Sequence, residues 1–210
     1  MARAQTQVEE RWNVITHGFG AVVFFGLSFY IIVAAEGLTQ LQWLGVGVYL
    51  FSQCFLYSAS TRYHYVQPGK LKFKLRKLDH ISIYGSIAGT YTPICLITLA
   101  DSNGYLILAA VWGIAVFGTV WKLFFTGKFE AFSSLLYLAM GWLIVLDINN
   151  LLAAFSTDQL NLLIAGGAFF TIGIVFYAWN RLYFNHVIWH LFVLGGSLSH
   201  YLMVDSVLFN

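Results

Sequence analysis

Seven apolar runs, each about 20 residues long, follow one another along this chain with only short polar separators between them. The runs lie at about 14–35, 41–63, 79–99, 104–125, 130–150, 160–180 and 185–207. A helix of this length crosses the hydrocarbon core of a bilayer, and the continuous pattern favours helices over alternating membrane strands. Residues 1–210 are therefore predicted to form one all-α integral membrane domain, a seven-transmembrane-helix bundle.

The amino-acid composition excludes a soluble protein and a nucleic-acid partner. Only 10% of the residues are charged and 59% are hydrophobic, whereas about a quarter of a soluble domain is charged. The formal net charge is +2, and the basic residues are too few for a nucleic-acid surface. Cys54 and Cys95 lie inside apolar runs, so no disulfide framework is expected. The polar amino-terminal stretch does not resemble a cleavable signal peptide.

Basic residues mark one side of the predicted bundle. When alternate connections are placed on opposite sides of the membrane, all 11 Lys and Arg residues fall on the side of the amino terminus. The opposite side carries Glu36, Asp101, Asp158 and Asp205 instead. Because basic residues are retained on the cytoplasmic side, the amino terminus is predicted to be cytoplasmic and the carboxyl terminus to lie outside.

Histidines from distant parts of the sequence are predicted to share one depth in the cytoplasmic leaflet. His186 and His190 stand four residues apart at the start of the last run, so they project from one helix face, as paired zinc ligands do. A catalytic zinc needs a third protein ligand. His64, which ends the second run, is the best candidate for this third ligand. His80 directly follows Asp79 and points about 100° away from it on a helix.

Two further polar residues accompany these histidines. Asp79 opens the third run and is predicted to act as a proton acceptor beside the metal or to orient a histidine. Ser60 stands one helical turn before His64 and is predicted to hydrogen-bond to a metal-bound water or to a substrate carbonyl. A Ser60–His64 nucleophile is the alternative, but it lacks an identified orienting acid and oxyanion hole. The remaining histidines, His17, His80 and His200, have no assigned role. A polar anchor at the membrane surface is the ordinary explanation for His17 and His80.

Four motifs give the sequence a family resemblance: "EERWNVITH", "SASTRYH", "LDHISIYGSIAGTYTP" and "HVIWHLFVLGGSLSH". In this order, over essentially the whole chain, they resemble hemolysin III-type bacterial members of the progestin and adipoQ receptor family. The resemblance implies a seven-helix bundle in the bacterial plasma (inner) membrane, with zinc bound by His64, His186 and His190. It further implies that Asp79 lies beside the metal and that Ser60 is the motif serine.

The resemblance and the residues leave three functions open. The first is a zinc-dependent hydrolase of lipid amides or esters, since the wider superfamily includes alkaline ceramidases; Zn2+ is then the cofactor and a membrane lipid the substrate. The second is a receptor-like sensor or regulator of membrane state with a structural zinc. The third is a pore-forming cytolysin, which seven nearly uncharged spans disfavour. Hormone reception is not expected, because the long amino-terminal region of the animal adiponectin receptors is missing.

Overall fold

The computed structural model describes residues 3–209, which form helices joined by short connections and contain no β-strand. The helices are α1 (Gln7–Ala34), α2 (Gln40–Tyr65), α3 (Lys70–Pro93), α4 (Gly104–Phe125), α5 (Glu130–Trp142), α6 (Ile148–Ala154), α7 (Thr157–Ala178) and α8 (Asn185–Phe209). A π-helical turn, Ile94–Thr98, continues α3, and a 3-10 turn, Leu143–Asp147, joins α5 to α6. The prediction of an all-α protein is confirmed.

Six helical segments in the described part of the chain are long and apolar enough to cross a membrane. They are Gln7–Ala34, Lys70–Thr98, Gly104–Phe125, Glu130–Ala154, Thr157–Ala178 and Asn185–Phe209. The chain is therefore a multi-pass membrane protein built as a helical bundle. Helix α2 is 26 residues long but less apolar, because it carries polar side chains such as Gln53, Ser60 and His64 that are buried in the protein. A seventh span through α2 stays a prediction.

The fifth predicted run is interrupted in the structure. Regular α-helix gives way to the 3-10 turn Leu143–Asp147. The Tyr91 hydroxyl donates to the Gly141 carbonyl oxygen at 2.9 Å and accepts from the Ile144 N–H at 3.0 Å. These two hydrogen bonds satisfy backbone groups that have no regular helical partner where the α-helix is interrupted. The sequence predicted one continuous run at 130–150, because hydropathy carries no information about a hydrogen bond from another helix.

Helices α2, α3 and α8 form the centre of the bundle, since each buries at least ten of its residues. In the apolar stretches of α3 and α8, 61% and 50% of the residues are buried inside the protein, compared with 11% in α7 and 28% in both α1 and α4. Helix α2 packs along α3, α7 packs along α8, and α1 contacts both α2 and α8. The polar residues at the end of α2 and near the starts of α3 and α8 are thereby brought into the interior.

Close packing of α4 against α3 depends on a glycine, which provides a test of the fold. A Cβ atom at Gly118 would lie 2.3 Å from the ring of Tyr84, which is fully buried. We expect Gly118→Ala to lower the free energy of unfolding by about 1–3 kcal/mol through overpacking. Gly113 on the same helix has open space around it, so Gly113→Ala is expected to be neutral or stabilising by up to ~1 kcal/mol. Thermal unfolding in one detergent compares the two variants, and equal effects would contradict the packing.

Candidate metal centre

Three histidines from two helices meet at the end of α2. One ring nitrogen from each of His64, His186 and His190 lies within 4.8 Å of the other two. The ring centroids are 4.6 to 5.1 Å apart, and the ring planes are inclined to one another by 52° to 75°. His64 and His190 are buried, and His186 is partly exposed. The structure therefore brings together the three residues predicted as metal ligands, while zinc binding itself stays a prediction.

The turn before α8 positions the first of these ligands on that helix. Phe184 has a φ of 58°, in the left-handed region, where a bulky residue costs about 1–3 kcal/mol. Its N–H donates to the Glu9 carboxylate at 2.9 Å. The same carboxylate forms an ion pair with Arg3 and raises the pKa of the Arg3 guanidinium. The start of α1 therefore holds the connection from which α8 and His186 begin.

Helix α1 also contacts His190 from the side. Thr16 Oγ1 lies 3.1 Å from His190 Nδ1. The His17 ring stacks on the His190 ring, with centroids 3.4 Å apart and planes inclined by 13°. His17 is buried, and neither of its ring nitrogens has a hydrogen-bond partner within residues 3–209. The sequence assigned no role to His17, yet the tertiary structure places it against a predicted ligand.

The two predicted catalytic residues lie next to each other. Ser60 is on α2 and Asp79 is on α3, and both side chains are buried. The Ser60 hydroxyl lies close enough to the Asp79 carboxylate to interact with it. Both residues line the same cavity as His186 and His190. The arrangement places a carboxylate and a hydroxyl beside the histidine cluster, and their catalytic roles stay predictions.

Glu10 is a residue of the site that sequence reasoning missed. Its Oε2 lies 2.5 Å from His64 Nδ1, and its Oε1 accepts from Lys72 Nζ at 2.7 Å. The second ring nitrogen of His64, Nε2, is buried and has no hydrogen-bond partner in the described part of the chain. The signals in the sequence were a carboxylate pair, Glu9 and Glu10, just before an apolar run, and the position of this pair at the start of the motif "EERWNVITH". Because 54 positions separate Glu10 from His64, no local pattern could connect them.

A cavity of about 130 Å3 extends from the histidines into the bundle. Aliphatic side chains, among them Ile87, Leu138 and Val193, line much of its wall. His190 and His200 both line it, and they lie about 15 Å apart along α8 at 1.5 Å per residue. A long cavity with largely aliphatic walls and with Ser60, Asp79 and histidines at one end suits a ligand with an apolar chain and a polar group.

Two other histidines lie apart from the cluster. His80 Nδ1 faces Glu130 Oε2 at 3.5 Å, and the same oxygen accepts from Lys122 Nζ at 2.6 Å. His200 Nε2 lies 3.3 Å from the Leu163 carbonyl oxygen. Because His80 is buried in the protein, as His17 is, the explanation of both as polar anchors at the membrane surface is wrong.

Comparisons with known proteins agree with the fold and the motifs. A family model described as "Haemolysin-III related" matches residues 5–201. The chain is 42% identical over 197 residues to Hemolysin-3 of Bacillus cereus, a match that covers 93% of this chain and 90% of that protein. It is 39% identical over 197 residues to the Hemolysin-3 homolog of Bacillus subtilis (strain 168), with 93% and 92% covered.

A more distant relative is the Monocyte to macrophage differentiation factor of Homo sapiens. It is 28% identical over 171 residues, which cover 77% of this chain and 69% of that protein. This similarity fits the wider family that the sequence motifs indicated. The chain is therefore a membrane protein that belongs to the haemolysin-III related family, within the progestin and adipoQ receptor family.

Proposed function

We propose that the protein binds zinc through His64, His186 and His190. Neutral imidazoles in an inclined arrangement suit Zn2+, which takes nitrogen ligands in a tetrahedral geometry. The observation that carries the proposal is the buried Nε2 of His64, which has no partner among residues 3–209 although a ring nitrogen of each histidine lies within 4.8 Å of the others. A buried polar atom without a hydrogen bond needs an explanation, and a bound ion provides one.

The orientation of His17 supports a site with three protein ligands rather than four. A metal ion lies near the plane of the imidazole that binds it, because the nitrogen lone pair lies in the ring plane. The His17 and His190 rings are nearly parallel and stacked, so one ion cannot lie in both planes. Three ligands with the fourth position left for water or substrate are typical of catalytic zinc, whereas structural sites are closed. This favours an enzyme over a sensor with structural zinc.

The reaction that this site supports best is hydrolysis of a lipid amide or ester. Zinc, when bound, polarises a scissile carbonyl and makes water nucleophilic at neutral pH. A carboxylate oxygen of Asp79 accepts the proton of the attacking water and returns it to the leaving nitrogen or oxygen. The Ser60 hydroxyl lines the same cavity as that carboxylate and donates a hydrogen bond to the substrate carbonyl.

The apolar cavity supports a lipid as the substrate. An acyl chain placed between Ile87, Leu138 and Val193 exchanges the apolar interior of the bilayer for an apolar wall, so its entry requires no exposure of methylene groups to water. Asp79 and His190 line the same cavity, so a bond at the head of that chain lies beside them. The surrounding membrane is the source of such a ligand.

The proposal includes the membrane arrangement predicted from the sequence. The chain is then a single domain of seven spans in a bacterial plasma membrane, with a cytoplasmic amino terminus and the carboxyl terminus outside. Helix α2, at 26 residues, extends about 39 Å, which exceeds the ~30 Å thickness of the hydrocarbon core. Lys70, Lys72 and Lys74 in the first turns of α3 support a cytoplasmic position for the α2–α3 connection and the metal site.

A direct assay tests the hydrolase proposal. Purified zinc-loaded protein in nanodiscs is expected to release free fatty acid from an N-acyl sphingosine, measured by mass spectrometry. A chelator should stop the release, and added Zn2+ should restore it, because the metal polarises the scissile carbonyl. Zinc binding without release from any amide or ester lipid would favour the sensor, and ion conductance through pure liposomes would favour the pore.

A further inference from the structure

The two adjacent glutamates at the start of α1 have different contacts. Successive residues on a helix point about 100° apart, so Glu9 and Glu10 face different neighbours. Glu9 binds Arg3 and the Phe184 N–H at the α7–α8 connection. Glu10 instead reaches α2, where it contacts His64. Glu10 therefore contacts a residue of the metal cluster, whereas Glu9 contacts the connection before α8.

The contact between Glu10 and His64 determines how that imidazole can bind a metal. A carboxylate 2.5 Å from Nδ1 accepts a hydrogen bond from that nitrogen, so the proton resides on Nδ1. Nε2 then carries a free lone pair, and this is the buried nitrogen without a partner. Histidines that bind metals commonly donate their second ring N–H to a carboxylate, which sets the ring orientation and raises the basicity of the ligand.

Lys72 holds Glu10 in place from the other side. Its Nζ lies 2.7 Å from Glu10 Oε1 and 5.1 Å from the centre of the Tyr63 ring. The Tyr63 ring in turn lies 4.5 Å from the His64 ring. The side chain of Lys72 is 16% exposed and that of Glu10 26%, so water competes only partly for this ion pair. A chain of contacts thus runs from the first turn of α3 through Glu10 to His64.

We infer that Glu10 is a positioning residue for the metal site, holding His64 with Nε2 directed at the ion, and that Lys72 fixes Glu10 for this purpose. The inference rests on the proposed metal site but not on hydrolysis. Glu10 touches neither the ion nor a substrate and acts through His64. The amino-terminal helix is thereby a functional part of a site whose ligands come from α2 and α8.

Metal binding by the full-length protein in detergent tests this inference with Zn2+ and Co2+ as the probes. Glu10→Ala is expected to lower the zinc affinity, measured by competition with a chelator, about 10- to 100-fold. Glu10→Gln keeps an acceptor oxygen at the same position, so it should recover part of the loss. Lys72→Met should weaken zinc binding less than Glu10→Ala. The absorption bands of bound Co2+ should shift in Glu10→Ala, because the ligand field changes when His64 reorients.

Glu130→Gln is the matched control, since Glu130 also accepts from a lysine and faces a histidine, His80, that is outside the cluster. It should bind both metals as the wild type does. Wild-type affinity and an unchanged Co2+ spectrum in folded Glu10→Ala would overturn the inference about Glu10 and leave the metal site standing. An equal loss in Glu130→Gln would overturn it as well. Failure of the wild type to bind zinc would instead overturn the metal site and, with it, this inference.

Discussion

Replacing His186 by alanine is expected to remove zinc from the protein and to abolish lipid hydrolysis. His186 is one of three histidines whose ring nitrogens lie within 4.8 Å of one another, so the variant leaves two ligands. Zinc binding with four ligands contributes about 10–16 kcal/mol, which suggests a loss of roughly 3 kcal/mol, or about 100-fold in affinity, for one ligand. Elemental analysis after gel filtration measures the zinc content, and the fatty-acid assay measures turnover in the same preparation.

His200 provides the control for this prediction, because it lies on the same helix and lines the same cavity but is outside the cluster. His200→Ala should retain zinc, even if it lowers thermal stability by leaving a space beside Gly166. Wild-type zinc content in His186→Ala would contradict the ligand assignment. Turnover by a zinc-free His186→Ala protein would contradict the hydrolytic mechanism instead.

Replacing Asp79 by asparagine is expected to separate metal binding from catalysis. Asparagine has nearly the same shape as aspartate but cannot accept the proton of the attacking water. Zinc content should therefore stay at the wild-type level, whereas turnover should fall about 10²- to 10⁴-fold, the usual contribution of a general base. The readouts are the zinc-to-protein ratio and the initial rate of fatty-acid release at saturating substrate.

Asp147 is a suitable control for the same chemical change. It is buried, and its carboxylate accepts hydrogen bonds from Ser102, Asn103 and Asn150, away from the histidine cluster. Asp147→Asn should lower thermal stability but leave the rate per folded molecule unchanged, because it disturbs only these hydrogen bonds. Loss of zinc in Asp79→Asn would show that Asp79 helps to hold the ion, and full activity in that variant would remove Asp79 from the mechanism.

Much of the helical architecture could be predicted from the sequence, for a local physical reason. A chain in hydrocarbon must satisfy its backbone hydrogen bonds within each segment, so the length and apolarity of a run suffice to predict a helix. The boundaries at 104–125 and 185–207 agree closely with α4 and α8. The interruption at Leu143–Asp147 was not predictable, because the Tyr91 hydroxyl that binds its backbone comes from a helix 50 residues away.

The candidate site, like the fold, could be predicted from the sequence only in part. The facing pair His186 and His190 could be predicted from the sequence alone, because residues four apart share a helix face. Hydropathy and charge placed His64 and Asp79 at the same depth as this pair. Depth does not determine which side chains touch, since that depends on how the helices rotate and pack.

Helix packing settled that His64, the predicted third ligand, meets the pair and that His80 instead faces Glu130. It also decided that Glu10 holds the ring of His64 and that His17 stacks on His190. These contacts join side chains 50 or more positions apart, and each depends on a helix orientation set by the packing of the whole bundle. For that reason no local pattern in the sequence contains them.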